Sequence, residues 1–502
     1  MRIVIGGPSG SGKTTLARML TKIVRPKPEL ISGDEYIKET SANLDCLHVR
    51  LGEDRYIFEH VSGPRIISRL GIKTDVLILL GPCSTYRLED LQEWENYADV
   101  VIRGEGISEV LWPCLDQLRI SGTFPPPVHS FVLKVASRCN LNCSYCYMYQ
   151  GHDRSWSNEP LAMSTEVASR IGLRIREHVQ AHPSRPVSVI FHGGEPLSLS
   201  IGEFLRVAEA VKAEINDLDS ISYGVQTNGI TLTTEYLQAL DQLGFSIGIS
   251  LDGGSEYANR FRVNHAGRSS YRGTVSAIQR CLSFPFKHGR FGGVLCVINP
   301  EESGREVYRF FRSLGVRSMD FLLKDTNHES PADNVTSNGR TAKNFLFEAF
   351  SEWLVDEGAC DVRLFKTIIA QILDYPWGTD ALGLYPLSSV GVSVSGKWEF
   401  LDLLRTSFEG AWQTPYNVFD NSVGHLQSSA EYLSLLAWQY DYSDKCLGCD
   451  NLLSCGSGYL PHRYSPTNKF KNPSIYCDDI YALIEFIRQA LGEQLQSARA
   501  VL

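Results

Sequence analysis

Short apolar runs alternate with helical patterns along the middle of the chain. The runs have the length and β-branched content of strands, and amphipathic stretches separate them. They are Phe131–Val135, Val187–Phe191, Ser222–Gln226, Ser246–Leu251 and Gly293–Ile298. Strands that alternate with helices in this way predict parallel βα units and therefore an α/β fold.

The pattern changes on both sides of this core. Pro125-Pro126-Pro127 cannot lie inside a helix or a central strand, so it marks a first boundary. The sequence predicts an α/β domain over residues 1–124 and the βα core over 128–340. A helical connection (341–385), a cysteine-rich segment of short strands (386–485) and a helix end (486–502) complete the predicted organisation.

Composition and charge limit the classes of protein to which this chain can belong. The 502 residues carry a net charge of −9, the wrong sign for a surface that binds nucleic acid through diffuse positive charge. The longest aliphatic run, Val76–Leu80, is far shorter than the roughly 18 apolar residues of a membrane span. We therefore expect a cytoplasmic protein with no membrane or nucleic-acid partner. In that compartment its 13 cysteines are metal ligands or free thiols rather than disulfides.

Three cysteines follow the first strand of the core within one short loop, Cys139, Cys143 and Cys146. Three thiolates can hold three irons of a 4Fe-4S cube and leave the fourth iron open to another ligand. The alternative is part of a structural zinc site, which normally needs a fourth protein ligand and commonly uses paired Cys-x-x-Cys spacing.

This triplet, with Tyr145 before its last cysteine, resembles the motif of the radical S-adenosylmethionine (SAM) superfamily. Further matches follow in family order: Gly193-Gly194-Glu195-Pro196, Gln226-Thr227-Asn228-Gly229 and Ser250-Leu251-Asp252-Gly253. The resemblance implies a partial (β/α)6 barrel in which the methionine part of SAM binds the open iron. It also implies that Gly194 and Glu195 hold the SAM amino group, with Gly193 beside them, and that Ser250 and Arg262 contact its ribose and carboxylate region.

Four further cysteines, Cys446, Cys449, Cys455 and Cys477, lie in the C-terminal segment. Their number alone is also compatible with zinc. Beside the core they resemble the SPASM/twitch-like domain of peptide-modifying relatives, which normally carries seven cysteines and two auxiliary 4Fe-4S clusters. Tyr459 stands where that family places a ligand of the proximal cluster, and no cysteine occurs near Asp402. We therefore predict one auxiliary cluster, at the distal position. Asp402 is a candidate catalytic base or hydrogen-bond acceptor, with a solvated surface carboxylate as the alternative.

The first segment carries a phosphate-loop pattern, Gly7-Pro-Ser-Gly-Ser-Gly12-Lys13-Thr14, between a predicted strand and a predicted helix. Backbone N–H groups would cradle phosphates, Lys13 would neutralise them and Thr14 would reach Mg²⁺. The pattern predicts a P-loop domain that binds ATP or GTP. The stretch Tyr97–Gly106 resembles the end of corrinoid-binding domains, so cobalamin is a second candidate ligand.

The stretches Cys455–Tyr464 and Met319–His328 resemble the FxsB-like branch of peptide maturases, whose relatives form cyclophanes. The first hypothesis is therefore an oxidoreductase that crosslinks a ribosomally synthesised precursor peptide, with a flavodoxin- or ferredoxin-type reductant. The second is a radical SAM dehydrogenase, epimerase or mutase of a small metabolite, either linked to a nucleotide or not. The third is a nucleotide-responsive switch.

Overall fold

The structure is a computed structural model. It describes six strands within the first 124 residues, and residues 125–501 apart from 152, 216–217, 219, 330–335, 337–338, 357–358 and 374–378. The chain divides into two compact units, with the boundary in sequence between Pro126 and Pro127. The predicted phosphate-loop residues, Gly7, Gly12, Lys13 and Thr14, lie outside the described residues.

The first unit contains a six-stranded sheet of order β2-β3-β4-β1-β5-β6. Its central strand β1 pairs in parallel with β4 and β5, and β5 pairs in parallel with β6. The strands β2, β3 and β4 pair antiparallel. Their bounds are β1 Arg2–Gly6, β2 Glu29–Ile31, β3 Leu47–Leu51, β4 Asp54–Glu59, β5 Val76–Leu80 and β6 Val100–Arg103.

The second unit is built on a ten-stranded sheet of order β13-β12-β11-β10-β9-β8-β7-β14-β15-β16. The strands from β13 across to β14 are parallel, which confirms the predicted parallel α/β core. The bounds are β7 Ser130–Ala136, β8 Val187–Gly193, β9 Ile221–Thr227, β10 Ser246–Ser250, β11 Arg290–Val297, β12 Ser318–Leu322, β13 Asp361–Val362, β14 Ser389–Val392, β15 Lys397–Glu399 and β16 Gln413–Asn417.

A helix follows each of the six strands β7 to β12. Side-chain oxygens of Ser164, Ser200, Thr233 and Ser303 accept hydrogen bonds from the first turns of four of these helices. Such caps satisfy N–H groups that have no partner inside the helix, so the sequence itself marks where these helices begin. The six helices are α1 Thr165–Ala181, α2 Ile201–Ala213, α3 Thr234–Gln242, α4 Tyr271–Ser283, α5 Gly304–Leu314 and α6 Ala342–Val355.

The C-terminal segment continues the sheet of the core. Strand β14 pairs in parallel with β7, in register from Ser389 opposite Ser130, and β15 and β16 then add antiparallel. The long last helix packs on α6, where Phe486 stacks on Phe347 with ring centroids 4.3 Å apart. The remaining helices are α7 Arg363–Ile372, α8 Val423–Gln427, α9 Ala430–Tyr440, α10 Asp444–Leu447, α11 Leu452–Cys455 and α12 Cys477–Val501.

Parallel strands have a functional consequence here. All the carboxyl ends of β7 to β12 lie at one edge of the sheet, and the loops that leave this edge carry the predicted cysteine and glycine motifs. Among the described helices, none is long and apolar enough to cross a membrane.

One buried histidine makes the stability of this core depend on pH. His178 on α1 is 4% exposed, and its Nε2 lies 2.9 Å from the carbonyl oxygen of Val128. Burial lowers the pKa of His178 to about 4. The folded state therefore favours the neutral ring, while the unfolded chain binds a proton near its ordinary pKa of about 6.5. Stability is fully present above that value and is lost as the pH falls toward the folded value.

We predict that lowering the pH from 7.5 to 5.5 costs the protein roughly 1 kcal/mol of unfolding free energy through His178 alone. His178→Gln keeps a hydrogen-bond donor but does not titrate, so its loss over this range should be smaller by that amount. Urea titrations at both pH values measure the difference. His288→Gln, at an exposed histidine, is the matched control for the substitution itself. Equal losses in all three proteins would contradict the assignment.

Candidate active site

The predicted cysteine loop lies at the carboxyl end of β7, at one end of a cavity of about 680 Å³. The loop is held by backbone hydrogen bonds to the segment after β10: Asn142 N–H donates to Val263 O at 2.7 Å, and Ser144 N–H donates to Phe261 O at 3.1 Å. The cavity is lined by nine of the predicted site residues: Cys139, Cys143, Tyr145, Cys146, Gly193, Gly194, Glu195, Ser250 and Arg262.

The three thiols lie in a poorly hydrated environment. Burial raises the pKa of Cys139 to about 12 and also raises the pKa values of Cys143 and Cys146. In the metal-free protein they are therefore protonated, and iron must displace the protons when it binds. Three soft sulfur donors on one loop fit three irons of a cube and leave the fourth facing the cavity.

Glu195 ties the ends of two neighbouring strands together. Its carboxylate is 1% exposed and accepts hydrogen bonds from Thr227 Oγ1 at 2.6 Å, Asn228 N at 2.7 Å and Leu197 N at 3.0 Å. The preceding Gly193 has φ +120°, and a Cβ there would collide with the carbonyl oxygen of Ala136. Glycine is therefore needed for close packing of this turn against β7, and the Glu195 carboxylate remains at the cavity wall.

Tyr145 of the cysteine loop forms a buried polar group with Asp252 and Arg262. Tyr145 donates its hydroxyl proton to Asp252 and accepts a hydrogen bond from Arg262 Nη1 at 2.9 Å. Arg262 Nε has no hydrogen-bond partner among the described residues. Beside them, Gln226 Nε2 donates to Ser250 Oγ at 2.8 Å. A buried donor without a partner is costly. The unpartnered Nε of Arg262 therefore fits a bound acceptor such as the carboxylate of SAM.

Asp402 lies within a cluster of buried charges. Lys134 on β7 forms ion pairs with both Asp402 and Glu399, although the side chain of Lys134 is only 5% exposed. Arg405 also bonds Glu399 at 3.1 Å and forms an ion pair with Asp153. Burial alone would raise the pKa of Asp402, but the charges of Lys134 and Arg405 outweigh it and lower the pKa. The neighbouring Leu403, rather than Asp402, contributes to the wall of the large cavity.

The four C-terminal cysteines surround a second cavity of about 260 Å³. Burial raises the pKa of Cys455 to about 12, and the three other thiols add to this effect, since all four converge. Gly456 continues the turn after Cys455 with φ +63°, where a Cβ would overlap the carbonyl oxygen of Gly383. Among the described residues, no three His, Cys, Asp or Glu side chains lie close enough together to hold a single metal ion. Four thiols around a larger space fit a four-iron cube.

The wall of the large cavity includes residues that the sequence motifs did not single out as site residues. Tyr147, Asp325, Tyr459 and His462 line it from the cysteine loop, from the segment after β12 and from the C-terminal segment. Lys134, which pairs with Asp402 and Glu399, is a single charge inside the apolar strand Phe131–Val135 and could have been noticed in the sequence. The four residues of the cavity wall lie in segments without strand or helix periodicity, so nothing in the sequence pattern placed them together.

Comparison with known proteins agrees with this geometry. Residues 133–314 match the family model of the Radical SAM superfamily. The chain is 24% identical over 366 residues to the serine-type anaerobic sulfatase-maturating enzyme of Bacteroides thetaiotaomicron, which covers 68% of this chain and 85% of that enzyme. It is 25% identical over 255 residues to the cysteine-type enzyme of Clostridium perfringens strain 13, covering 49% and 67% of the two chains.

A solved structure of native anSMEcpe with bound AdoMet and the Cp18Cys peptide has a similar fold. Its TM-score is 0.60 at 20% identity, and the match covers 75% of this chain and all of that one. The likeness extends beyond the residues of the family match and supports the α/β fold described above.

The two cysteine sets generate a prediction about iron content. Three and four ligands imply two cubes, so reconstituted protein should contain about eight irons per chain. Replacing Cys139, Cys143 and Cys146 together with alanine should leave about four irons and abolish SAM cleavage. The reciprocal change of the four C-terminal cysteines should also leave about four. Iron and sulfide analysis with EPR spectroscopy measures this, and a wild-type content near twelve would contradict it.

Proposed function

We propose that this chain, a radical SAM enzyme related to the sulfatase-maturating enzymes, modifies a ribosomally synthesised precursor peptide by crosslinking its side chains. The observation that carries the proposal is a cavity whose wall includes the three cysteines, apolar side chains and the acid–base groups Asp325 and His462. Radical chemistry and a second reacting group can therefore share one enclosed space.

The cofactors supply the difficult chemistry. When bound, a 4Fe-4S cluster and SAM provide a 5′-deoxyadenosyl radical that abstracts a hydrogen atom. The chain's own residues position this chemistry: Cys139, Cys143 and Cys146 hold the cluster, Glu195 receives the SAM amino group, and Arg262 receives its carboxylate. Since Glu195 and Arg262 are 1% and 8% exposed, their orientation is fixed before SAM binds.

Several residues of the cavity wall are apolar and suit an aromatic or aliphatic side chain of a substrate. They are contributed by strand, helix and C-terminal elements together: Val297, Phe321, Leu346, Leu364, Ile368 and Leu483. These side chains exclude water from the place where a carbon radical would form, and exclusion of water suppresses competing reactions.

Two of the comparisons support a peptide substrate. The relatives are sulfatase-maturating enzymes, and the solved structure of similar fold contains a bound peptide. The resemblance of Cys455–Tyr464 to cyclophane-forming maturases supports a crosslink as the product.

The test of this proposal uses the reconstituted full-length protein, SAM, a flavodoxin or ferredoxin reductant and each small peptide encoded beside the gene. We expect a peptide product lighter by two hydrogen masses, with tandem mass spectrometry locating the link between two side chains. A loss of two hydrogens without a link would instead favour simple dehydrogenation. Turnover of a nucleotide-linked metabolite and of no peptide would contradict the proposal and favour the second hypothesis.

We propose separately that the first segment binds ATP or GTP with Mg²⁺ through its phosphate-loop pattern, Gly7 to Thr14. Lys13→Ala should remove most of the affinity, because the lysine neutralises the terminal phosphates. SAM cleavage without substrate should be unchanged, since Lys13 belongs to the first unit and the cysteine loop to the second. Calorimetric titration with ATP and GTP measures affinity, and absence of binding by the wild type would contradict the proposal.

A further inference from the structure

A buried imidazole forms part of the cavity wall and has no hydrogen-bond partner for its ring in the described part of the chain. His462 is 3% exposed, and neither Nδ1 nor Nε2 makes a hydrogen bond to any described residue. Buried polar groups in proteins are nearly always satisfied. An exception that borders a large cavity therefore indicates a group that meets a ligand there.

Other histidines in the second unit show the contrast. A ring nitrogen of His178 lies 2.9 Å from Val128 O, one of His129 lies 2.6 Å from Ser388 Oγ, and one of His328 lies 2.8 Å from Pro473 O. His192 also borders the cavity, and its Nδ1 has no partner among the described residues. However, His192 directly precedes the Gly193-Gly194-Glu195 turn. The carboxylate whose charge acts on His192, that of Asp402, already forms an ion pair with Lys134.

The surrounding structure fixes the imidazole. His462 lies in the short 3-10 turn Leu460–Arg463, between the rings of Tyr459 and Tyr476, whose centroids are 5.4 Å and 5.1 Å from its own. The neighbouring Arg463 is fully buried and donates hydrogen bonds to the carbonyl oxygens of Phe470, Asn472, Trp438, Gln439 and Asp441. The ring therefore keeps one position in the wall.

A carboxylate lies within reach of the ring. Asp325 Oδ1 is 3.6 Å from His462 Nε2, and its side chain is 25% exposed. Tyr476 donates its hydroxyl proton to the carbonyl oxygen of Lys324 at 2.8 Å, which ties the Asp325 loop to the same wall. Asp325 lines the same cavity as Cys146 and Tyr147, and its charge adds to the effect of burial in raising the pKa values of both. His462 and Asp325 therefore border the same cavity as the three cysteines.

We propose that His462, with Asp325 balancing its charge, is a catalytic residue that takes up the proton released when the crosslink forms. This inference rests on the proposed function. The 5′-deoxyadenosyl radical takes one hydrogen atom from a side-chain carbon, and the carbon radical adds to an aromatic ring to form the new carbon–carbon bond. The ring then loses one electron, to an oxidised iron–sulfur centre, and one proton, to a ring nitrogen of His462. The peptide loses two hydrogens in total, and the ring regains its aromaticity.

The first arm of the test needs no substrate. Diethyl pyrocarbonate acylates accessible neutral imidazoles, and it is small enough to enter a cavity of this size. Peptide mapping of the treated holoenzyme should show modification at His462 and at the exposed His288. It should show little at His178, whose buried ring is hydrogen-bonded to the carbonyl oxygen of Val128. Modification of His288 without modification of His462 would overturn the proposal, because His462 would then not open into the cavity.

The second arm uses His462→Gln, which retains size and polarity but cannot take up the proton, with the exposed His288→Gln as its matched control. With the peptide modified by the wild type and deuterated at the side-chain carbon, the variant should still transfer deuterium into 5′-deoxyadenosine. Crosslinked product should fall by about 100-fold, a typical contribution of a positioned base. The control should behave as the wild type. Asp325→Asn, at a half-buried position, should lower the product by about 10-fold with deuterium transfer retained.

The possible outcomes separate the two proposals. Undiminished crosslinking by His462→Gln would overturn the role of His462 and leave the proposed function intact. Loss of deuterium transfer together with product would also overturn it, since the residue would then serve folding or SAM binding. If no neighbouring peptide reacts with the wild type, the proposed function fails, and with it the role of His462 in crosslinking, while the acylation result still decides whether its ring opens into the cavity.

Discussion

Parallel strands bring their carboxyl ends to one edge of a sheet, and this constraint assembles the candidate site from residues far apart in sequence. Cys139 follows β7, Glu195 follows β8, Asn228 follows β9 and Asp252 follows β10. Each of these positions is the first residue, or one of the first, after a strand that is buried in the sheet. The hydrogen bonds from Asn228 to Glu195 and from Tyr145 to Asp252 then join neighbouring loops into one wall.

A cluster of buried ion pairs is the second feature on which the site depends. Lys134 and Arg405 lie almost without solvent. Lys134 pairs with Glu399 and Asp402 of the C-terminal segment, and Arg405 pairs with Asp153 of the core and with Glu399. Removing one partner of such a cluster leaves an uncompensated buried charge, which costs far more than the ion pair contributes. The cluster therefore fixes β15 and the following turn against β7. It also explains why Asp402 is held by Lys134 rather than projecting into the cavity.

The sequence predicted the parts of this structure that have periodicity or fixed spacing. The apolar runs located β7 to β11, and the spacing of three and four cysteines located two groups of thiols that the structure does bring together. Three features escaped it for physical reasons. The pairing of β14 with β7 joins strands of different segments, and short apolar runs do not specify their neighbours. Asp325 lies in a loop and His462 in a short 3-10 turn, and only the folded chain determines that these two side chains meet.

The addition of β14 to β7 has a consequence for biosynthesis. Ser130 and Ser389 face each other in the finished sheet, so the wall that carries Tyr459 and His462 is synthesised long after the cysteine loop. A chain emerging from the ribosome folds its earlier segments first. The cysteine loop therefore lacks this wall until the C-terminal segment has been synthesised and has folded.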